Sequence, residues 1–179
     1  AAQGLPWTPD ELAAYVTRPR APLTTNYRGY GVHVMGPPSS GGIALIQVLG
    51  MLERRDHASL EYGSGEWTRV LAQALSHAFA DRATYGGDPD FVTVPIEDLT
   101  SSATLDALTA ALPVRGPIPL YDAGLLGIRG DSKAVVPDDG GTTHLAVLDG
   151  AGNAVALTST VNLWFGSGQA DPGSGVVLN

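Results

Sequence analysis

Between residues 142 and 162 the sequence leaves little choice of conformation. Thr142 to Asp149 and Asn153 to Asn162 are two runs of β-favouring residues on either side of Asp149-Gly150-Ala151-Gly152-Asn153. Strand-like runs around such a Gly-rich turn are a strong hairpin signal. If Asp149 pairs with Asn153, opposed positions sum to 302 and Thr142 lies directly across from Thr160. A slip of one residue would turn every side chain of one strand onto the other face, so this register is a sharp expectation.

Upstream, the chain reads as helices and one strand. Thr8-Pro9-Asp10-Glu11 is a helix start, with Thr8 as N-cap and Pro9 at the first helical position. The helix is expected to run through Leu12, Ala13 and Val16 until Pro19. Tyr27 to Met35 alternates as a strand, with Tyr30, Val32 and Val34 on one face and Gly31, His33 and Met35 on the other. Pro37-Pro38-Ser39-Ser40-Gly41-Gly42 then turns into a helix whose Ile43, Leu45, Ile46, Leu49 and Leu52 leave almost no polar face. Burial on most sides is expected of it.

Glu66 to Tyr85 is the longest helix, with Trp67, Val70, Leu71, Leu75, Ala78 and Phe79 as its inward stripe. Ser101 or Ser102 caps a shorter helix over Leu105, Leu108, Ala111 and Leu112, ended by Pro113. Residues 113–141 form an irregular linker rich in Gly, Pro and Asp, a length that a compact domain keeps when it has a job or is mobile. After the hairpin, Gly166 to Gly175 reads as loop, and Val176-Val177-Leu178-Asn179 as the opening of a further strand. The chain thus divides into residues 1–141, ending in the linker, and residues 142–179, beginning with the hairpin.

Composition removes several classes of function. Ten Lys and Arg stand against eighteen Asp and Glu, a net charge of −8, and the cations are dispersed. Nucleic-acid binding draws on a basic stripe that displaces counterions from phosphates, so no nucleic-acid partner is expected. The absence of cysteine removes disulfides, thiolate metal sites and a Cys nucleophile. No apolar run is long enough to span a membrane. His33, His57, His77 and His144 are scattered and none repeats at i,i+4, so neither a metal nor another cofactor is expected. His77 and Asp81 read as a helix-surface pair. Ser39-Ser40-Gly41-Gly42 could hold an anion on free backbone N–H groups, although a cap and tight turn account for it better.

Thr142 is the residue with chemical promise. A threonine hydroxyl is a poor nucleophile unless a base stands beside it, and its own freed α-amino group is one solution. That amine has a pKa of about 7.7–8.0, so a useful fraction is neutral at working pH. Gly140-Gly141 before Thr142 supplies an unobstructed peptide bond at the end of the linker. Thr160 across the hairpin could hold the Thr142 hydroxyl. On spacing alone, a Thr pair that merely stabilises the sheet explains the pattern better.

The residues around this point carry a resemblance. Thr142-Thr143-His144-Leu145-Ala146-Val147, Asp149, Gly152-Asn153-Ala154-Val155-Ala156 and Thr158-Ser159-Thr160-Val161-Asn162-Leu163-Trp164-Phe165-Gly166 resemble the γ-glutamyltranspeptidase signature. Tyr27-Arg28-Gly29-Tyr30, Pro37 to Gly42, Ala78-Phe79-Ala80-Asp81-Arg82 and Gly87-Asp88-Pro89-Asp90-Phe91 are similar to that family's large subunit, in its order. The resemblance implies an α+β fold, part of an αββα N-terminal-nucleophile hydrolase sandwich with an antiparallel sheet and packed helices.

It also implies self-cleavage at Gly141–Thr142, with Thr142 as nucleophile and Thr160 as its supporting hydroxyl. Asn162 would contact the glutamyl end of substrates such as glutathione, and the acyl group would pass to water, an amino acid or a peptide. A cephalosporin acylase-like amidase, or a non-catalytic structural remnant, is the alternative reading. Ala146 departs from the family's usual Ser or Thr. By resemblance the chain covers about a third of a family chain, without the family's glutamyl-binding arginine and acid, its serine pair or its oxyanion-hole glycines. The rest of the parent polypeptide is therefore an expected partner, and exposed strand edges favour self-association. The family is periplasmic, secreted or on the cell surface. A single chain running through Gly141 and Thr142 is expected to be uncleaved there and inactive alone.

Overall fold

The computed structural model of the chain describes residues 8–118, 142–161, 163–172 and 175–178. These fall into two compact units: residues 18–118, and residues 8–17 with those from 142 onward. Helix α1 (Pro9–Ala13) begins where the sequence places it. The Glu11 N–H donates to Thr8 Oγ1 at 3.2 Å and the Thr8 N–H donates to the Glu11 carboxylate at 2.7 Å, a reciprocal capping box. These bonds to Thr8 hold the Glu11 carboxyl below its ordinary pKa. The helix stops at Ala13 rather than continuing to Val16. Ala14, Tyr15 and Val16 beyond it are exposed, so a further turn would bury nothing and the helix does not propagate.

Strands β1 (Leu23–Tyr27) and β2 (Tyr30–Val34) form an antiparallel hairpin with Tyr27 opposite Tyr30. The single strand expected over Tyr27–Met35 is corrected accordingly. Arg28 and Gly29 both take the left-handed region, with φ of 51° and 84°, as a two-residue type I′ turn requires. Asn26 Oδ1 accepts from the Gly29 N–H at 3.0 Å and steadies the reversal. An Arg-Gly turn lacks the usual Asn-Gly signature, which conceals the first strand. The alternation itself holds, with Leu23, Thr25, Tyr27, Val32 and Val34 half-buried and their neighbours exposed.

Helix α2 (Gly41–Arg54) is the axis of the 18–118 unit. It packs on α3 (Gly65–Tyr85), α4 (Ile96–Thr100), α5 (Ser102–Ala110) and a 3-10 turn at His57–Ser59. Val48, Met51 and Leu52 meet Val70, Ala74, Ala78, Leu108 and Leu112 in the main core, while Ile43, Tyr85 and Leu99 form a second cluster. Ser64 and Ser101 cap α3 and α5 by accepting from the N–H groups of Trp67 and Thr104 at 3.2 and 3.1 Å. Helix α2 lacks such a cap, since the Ser40 side chain makes no capping bond. The tight turn before it is present, with the Ser39 N–H bonded to the Gly36 carbonyl at 3.2 Å. Close packing fits the helix to its neighbours instead: at its start a Cβ at Gly42 would lie 2.0 Å from the Met35 carbonyl oxygen, and midway one at Gly50 would lie 2.7 Å from the Leu105 side chain.

The buried face of α3 differs from the expected stripe. Val70, Gln73, Ala74, His77, Ala78, Asp81 and Tyr85 face inward, whereas Leu75 and Phe79 stay 40% and 49% exposed. Leu75 and Phe79 instead flank an open apolar groove with Leu45, so α2 is not buried as fully as its composition implies. The cause is a polar set inside the core. Gln47 of α2 is fully buried and donates from Nε2 to Asp81 Oδ2 at 2.8 Å and to the Leu99 carbonyl at 3.1 Å. Gln73 Nε2 donates to the Pro113 carbonyl at 3.0 Å. Buried polar groups are costly when unpaired, and the bonds from Gln47 Nε2 and Gln73 Nε2 form with this polar face of α3 turned inward. His77 and Asp81 therefore lie inside the fold, not on a helix surface.

The last described residues fold back as a loop. The Ser167 N–H donates to the Leu178 carbonyl at 2.8 Å and the Leu178 N–H to the Gln169 carbonyl at 2.9 Å. Val177 makes a single bridge to Ala170 rather than opening a strand.

Two measurements follow from this packing. Gly42→Ala is expected to cost about 1–3 kcal/mol, the usual toll of overpacking, whereas Gly65→Ala, with open space around its Cβ, should be neutral or slightly stabilising; urea unfolding compares them. Burial pushes the His77 imidazole down to about 4, from about 6.5 in an unfolded chain. Between those values the unfolded state binds more protons. Stability from this group is thus full above pH 6.5 and falls, by about 3 kcal/mol in all, as the pH drops to 4. Unfolding across that range should show a shallower slope in His77→Gln.

Candidate active site

The hairpin of β3 (Thr142–Leu148) and β4 (Ala154–Thr160) is closed by an aspartate. The Asp149 N–H donates to the Asn153 carbonyl at 2.9 Å, and the Gly152 N–H returns to the Asp149 carbonyl at 3.1 Å. Gly152 has φ of 87°, the left-handed position that a three-residue loop of this kind needs. The Asp149 carboxylate accepts from the Ala151 and Asn153 N–H groups at 2.9 and 2.8 Å and from Asn153 Nδ2 at 2.7 Å. These bonds, the Asn153 side chain foremost, hold its carboxyl below the ordinary range.

With the loop fixed, the register follows the expectation at every rung, from Leu148 opposite Ala154 to Thr142 opposite Thr160. Backbone bonds alternate along an antiparallel pair, and side chains approach most closely on the rungs between them. Counting from the bonded Asp149–Asn153 rung, 142/160 and 144/158 are both of the close kind. Thr142 Oγ1 and Thr160 Oγ1 are 2.9 Å apart, a hydrogen bond that either hydroxyl could donate. His144 Nδ1 and Thr158 Oγ1 are 2.7 Å apart on the next rung of that face. The opposite face carries Leu145, Val147, Val155 and Leu157, and the residues of both strands are exposed.

Of the residues singled out in the sequence, the structure thus brings Thr142 and Thr160 together. Gly141 and Asn162 lie outside the described residues, so neither the proposed scissile bond nor the proposed glutamyl contact is placed. No group of three or more His, Asp or Glu side chains among the described residues is arranged to hold a metal. No helix among them is long and apolar enough to cross a membrane. The sequence reading did not name the His144–Thr158 bond. Its signal was present all the same, because 144 and 158 also sum to 302.

The whole chain, residues 1–179, matches the family model described as gamma-glutamyltranspeptidase. It is 40% identical to the glutathione hydrolase proenzyme of Escherichia coli strain K12 over 172 residues, covering 96% of this chain and 29% of that protein. It is 39% identical to the Acylase ACY 1 proenzyme of Pseudomonas sp. strain SE83 over 169 residues, covering 94% of this chain and 28% of that protein. The crystal structure of Helicobacter pylori gamma-glutamyltranspeptidase superposes with a TM-score of 0.64 at 35% identity, covering 67% of this chain and 35% of that one. The chain therefore spans about 29% of the length of the curated relatives it matches. Its helices and small antiparallel sheets are part of an αββα N-terminal-nucleophile hydrolase sandwich. This chain belongs to the gamma-glutamyltranspeptidase family.

Proposed function

We propose that Thr142 is the nucleophile of a γ-glutamyl hydrolase and transferase that is first released by its own attack on the Gly141–Thr142 bond. The 2.9 Å bond between Thr142 Oγ1 and Thr160 Oγ1 carries this reading. In the first step, Thr142 Oγ adds to the Gly141 carbonyl carbon and the C–N bond breaks. The acyl group is left as an ester and the nitrogen as an amine. Water then hydrolyses the ester, giving a Gly141 carboxylate, a free Thr142 hydroxyl and the α-amino group that serves as base. Before cleavage that base does not exist.

In turnover the amine takes the Thr142 hydroxyl proton as Oγ attacks the γ-carbonyl of a γ-glutamyl amide such as glutathione. The proton passes to the departing amine, and an acyl-enzyme ester remains for water or an acceptor amine to take up. Thr160 holds the nucleophile's hydroxyl in place, and Asn162 contacts the glutamyl end. The complete protein supplies the remaining substrate and oxyanion contacts, and the hairpin's apolar face packs against its residues. Residues 1–141 belong to the precursor's large-subunit region and end in the linker 113–141, and residues 142–179 begin its small-subunit region.

A second reading is favoured by the acylase relative, which is nearly as similar to this chain as the hydrolase. In it, the same nucleophile accepts a glutaryl-type acyl group in place of γ-glutamyl. Parallel rates on a γ-glutamyl anilide and a glutaryl amide separate the two, with the γ-glutamyl substrate expected to be faster.

In the full-length protein, incubation should yield a fragment whose amino-terminal sequence begins Thr-Thr-His-Leu, and Thr142→Ala should abolish it. Thr160→Val should slow cleavage by about tenfold, roughly the worth of one neutral hydrogen bond. Cleavage that persists in Thr142→Ala would exclude the nucleophile assignment. The 179-residue chain alone should self-associate, because β3 and β4 pair only with each other among the described residues and leave open edges. Sedimentation velocity that shows a monomer at all concentrations would contradict this.

A further inference from the structure

We infer that His144 is a positioning residue for the nucleophile, acting through the Thr158 hydroxyl, and the inference rests on Thr142 being that nucleophile. Once Gly141–Thr142 is cut, Thr142 becomes a chain terminus. Termini fray unless something ties them down, and here the nucleophile must stay within hydrogen-bond reach of Thr160. What holds it is the strand that follows. On the nucleophile's face of the hairpin, the successive rungs are Thr142/Thr160, His144/Thr158, Ala146/Ala156 and Leu148/Ala154. The last two pairs carry no polar side-chain group, so on that face the His144–Thr158 bond at 2.7 Å is the one side-chain bond behind the Thr142–Thr160 pair itself.

The clamp lies one rung, about 7 Å of strand, from the reacting hydroxyl. It is too far to touch the reacting atoms but close enough to fix how β3 lies against β4 at its first residues. Both polar rungs are of the close-approach kind, so an error in one is passed to the other through a single intervening residue. Without the clamp, the terminal Thr142 spends more time away from Thr160 while its chemistry is unchanged. The loss is then in turnover rather than in substrate binding.

The bond uses Nδ1, which makes the role separable from bulk and polarity. An Asn amide can place a polar atom close to the position of Nδ1, whereas a Gln amide places one near Nε2, out of reach of Thr158. In the full-length protein, autocleavage and steady-state hydrolysis of a γ-glutamyl anilide are measured for His144→Asn, His144→Gln, Thr158→Val and the His144→Gln/Thr158→Val double variant. His144→Gln and Thr158→Val should each lower kcat about tenfold with KM unchanged. The double variant should be no worse than either single one, and His144→Asn should stay within about threefold of wild type.

Turnover kept in both single variants, additive losses, or a loss confined to KM would overturn the positioning role. Thr142→Ala tells the two layers apart. Activity lost there but kept in His144→Gln and Thr158→Val removes this inference alone, whereas activity kept in Thr142→Ala removes the nucleophile assignment and this inference with it. Thr158→Val is nearly isosteric, so its result stands even if a His144 variant folds poorly.

Discussion

The hydrogen bonds that Asp149 makes across its own loop decide where the chemistry of this chain can sit. One carboxylate gathers the Ala151 and Asn153 amides and the Asn153 side chain, and Gly152 supplies the left-handed backbone that closes the turn. Strand pairing then has no freedom to slide. Because side chains alternate between faces, the loop determines, from seven rungs away, that Thr142 meets Thr160 rather than Ser159 or Val161. A hydroxyl pair is a modest contribution to a sheet, and the proposed nucleophile draws its support from it.

The helical unit follows a different logic. Its core is apolar along most of α2, yet the α2–α3 contact is specified by Gln47 and Asp81, with Gln73 tied to the backbone after α5. Such buried polar pairs add little net stability but penalise any rotation that would leave them unsatisfied. Gly42 and Gly50 act in the same direction by sterics, since each stands where a side chain would strike a neighbour. The helices are therefore fixed in rotation by small and polar residues, and the apolar residues supply the bulk.

This division explains what could be read from the chain before its fold was known. The hairpin register was legible because its determinants are local: a turn sequence, two alternating runs and a parity rule. The starts of α1 and α5 were legible for the same reason, each marked by a Thr or Ser whose side chain caps the first turn. Strand β1 was hidden because an Arg-Gly reversal imitates no common turn signature. The buried face of α3 was misjudged because Gln73, His77 and Asp81 count as surface residues until their partners on other elements are known. The His144–Thr158 bond needed only the register already in hand. Scattered histidines in a sequence suggest metal ligands first, which hides the place of His144 as one side of a cross-strand pair.

A cross-link reads the register directly, because the chain has no cysteine of its own. Ala146 and Ala156 occupy a close-approach rung on the face that carries Thr142, where Cα atoms about 4.5 Å apart suit a disulfide. Mild oxidation of A146C/A156C should form that bond, seen by mass spectrometry as the loss of two hydrogens, while A146C/V155C should stay reduced. A disulfide in the second pair and none in the first would put Thr142 on the wrong face from Thr160.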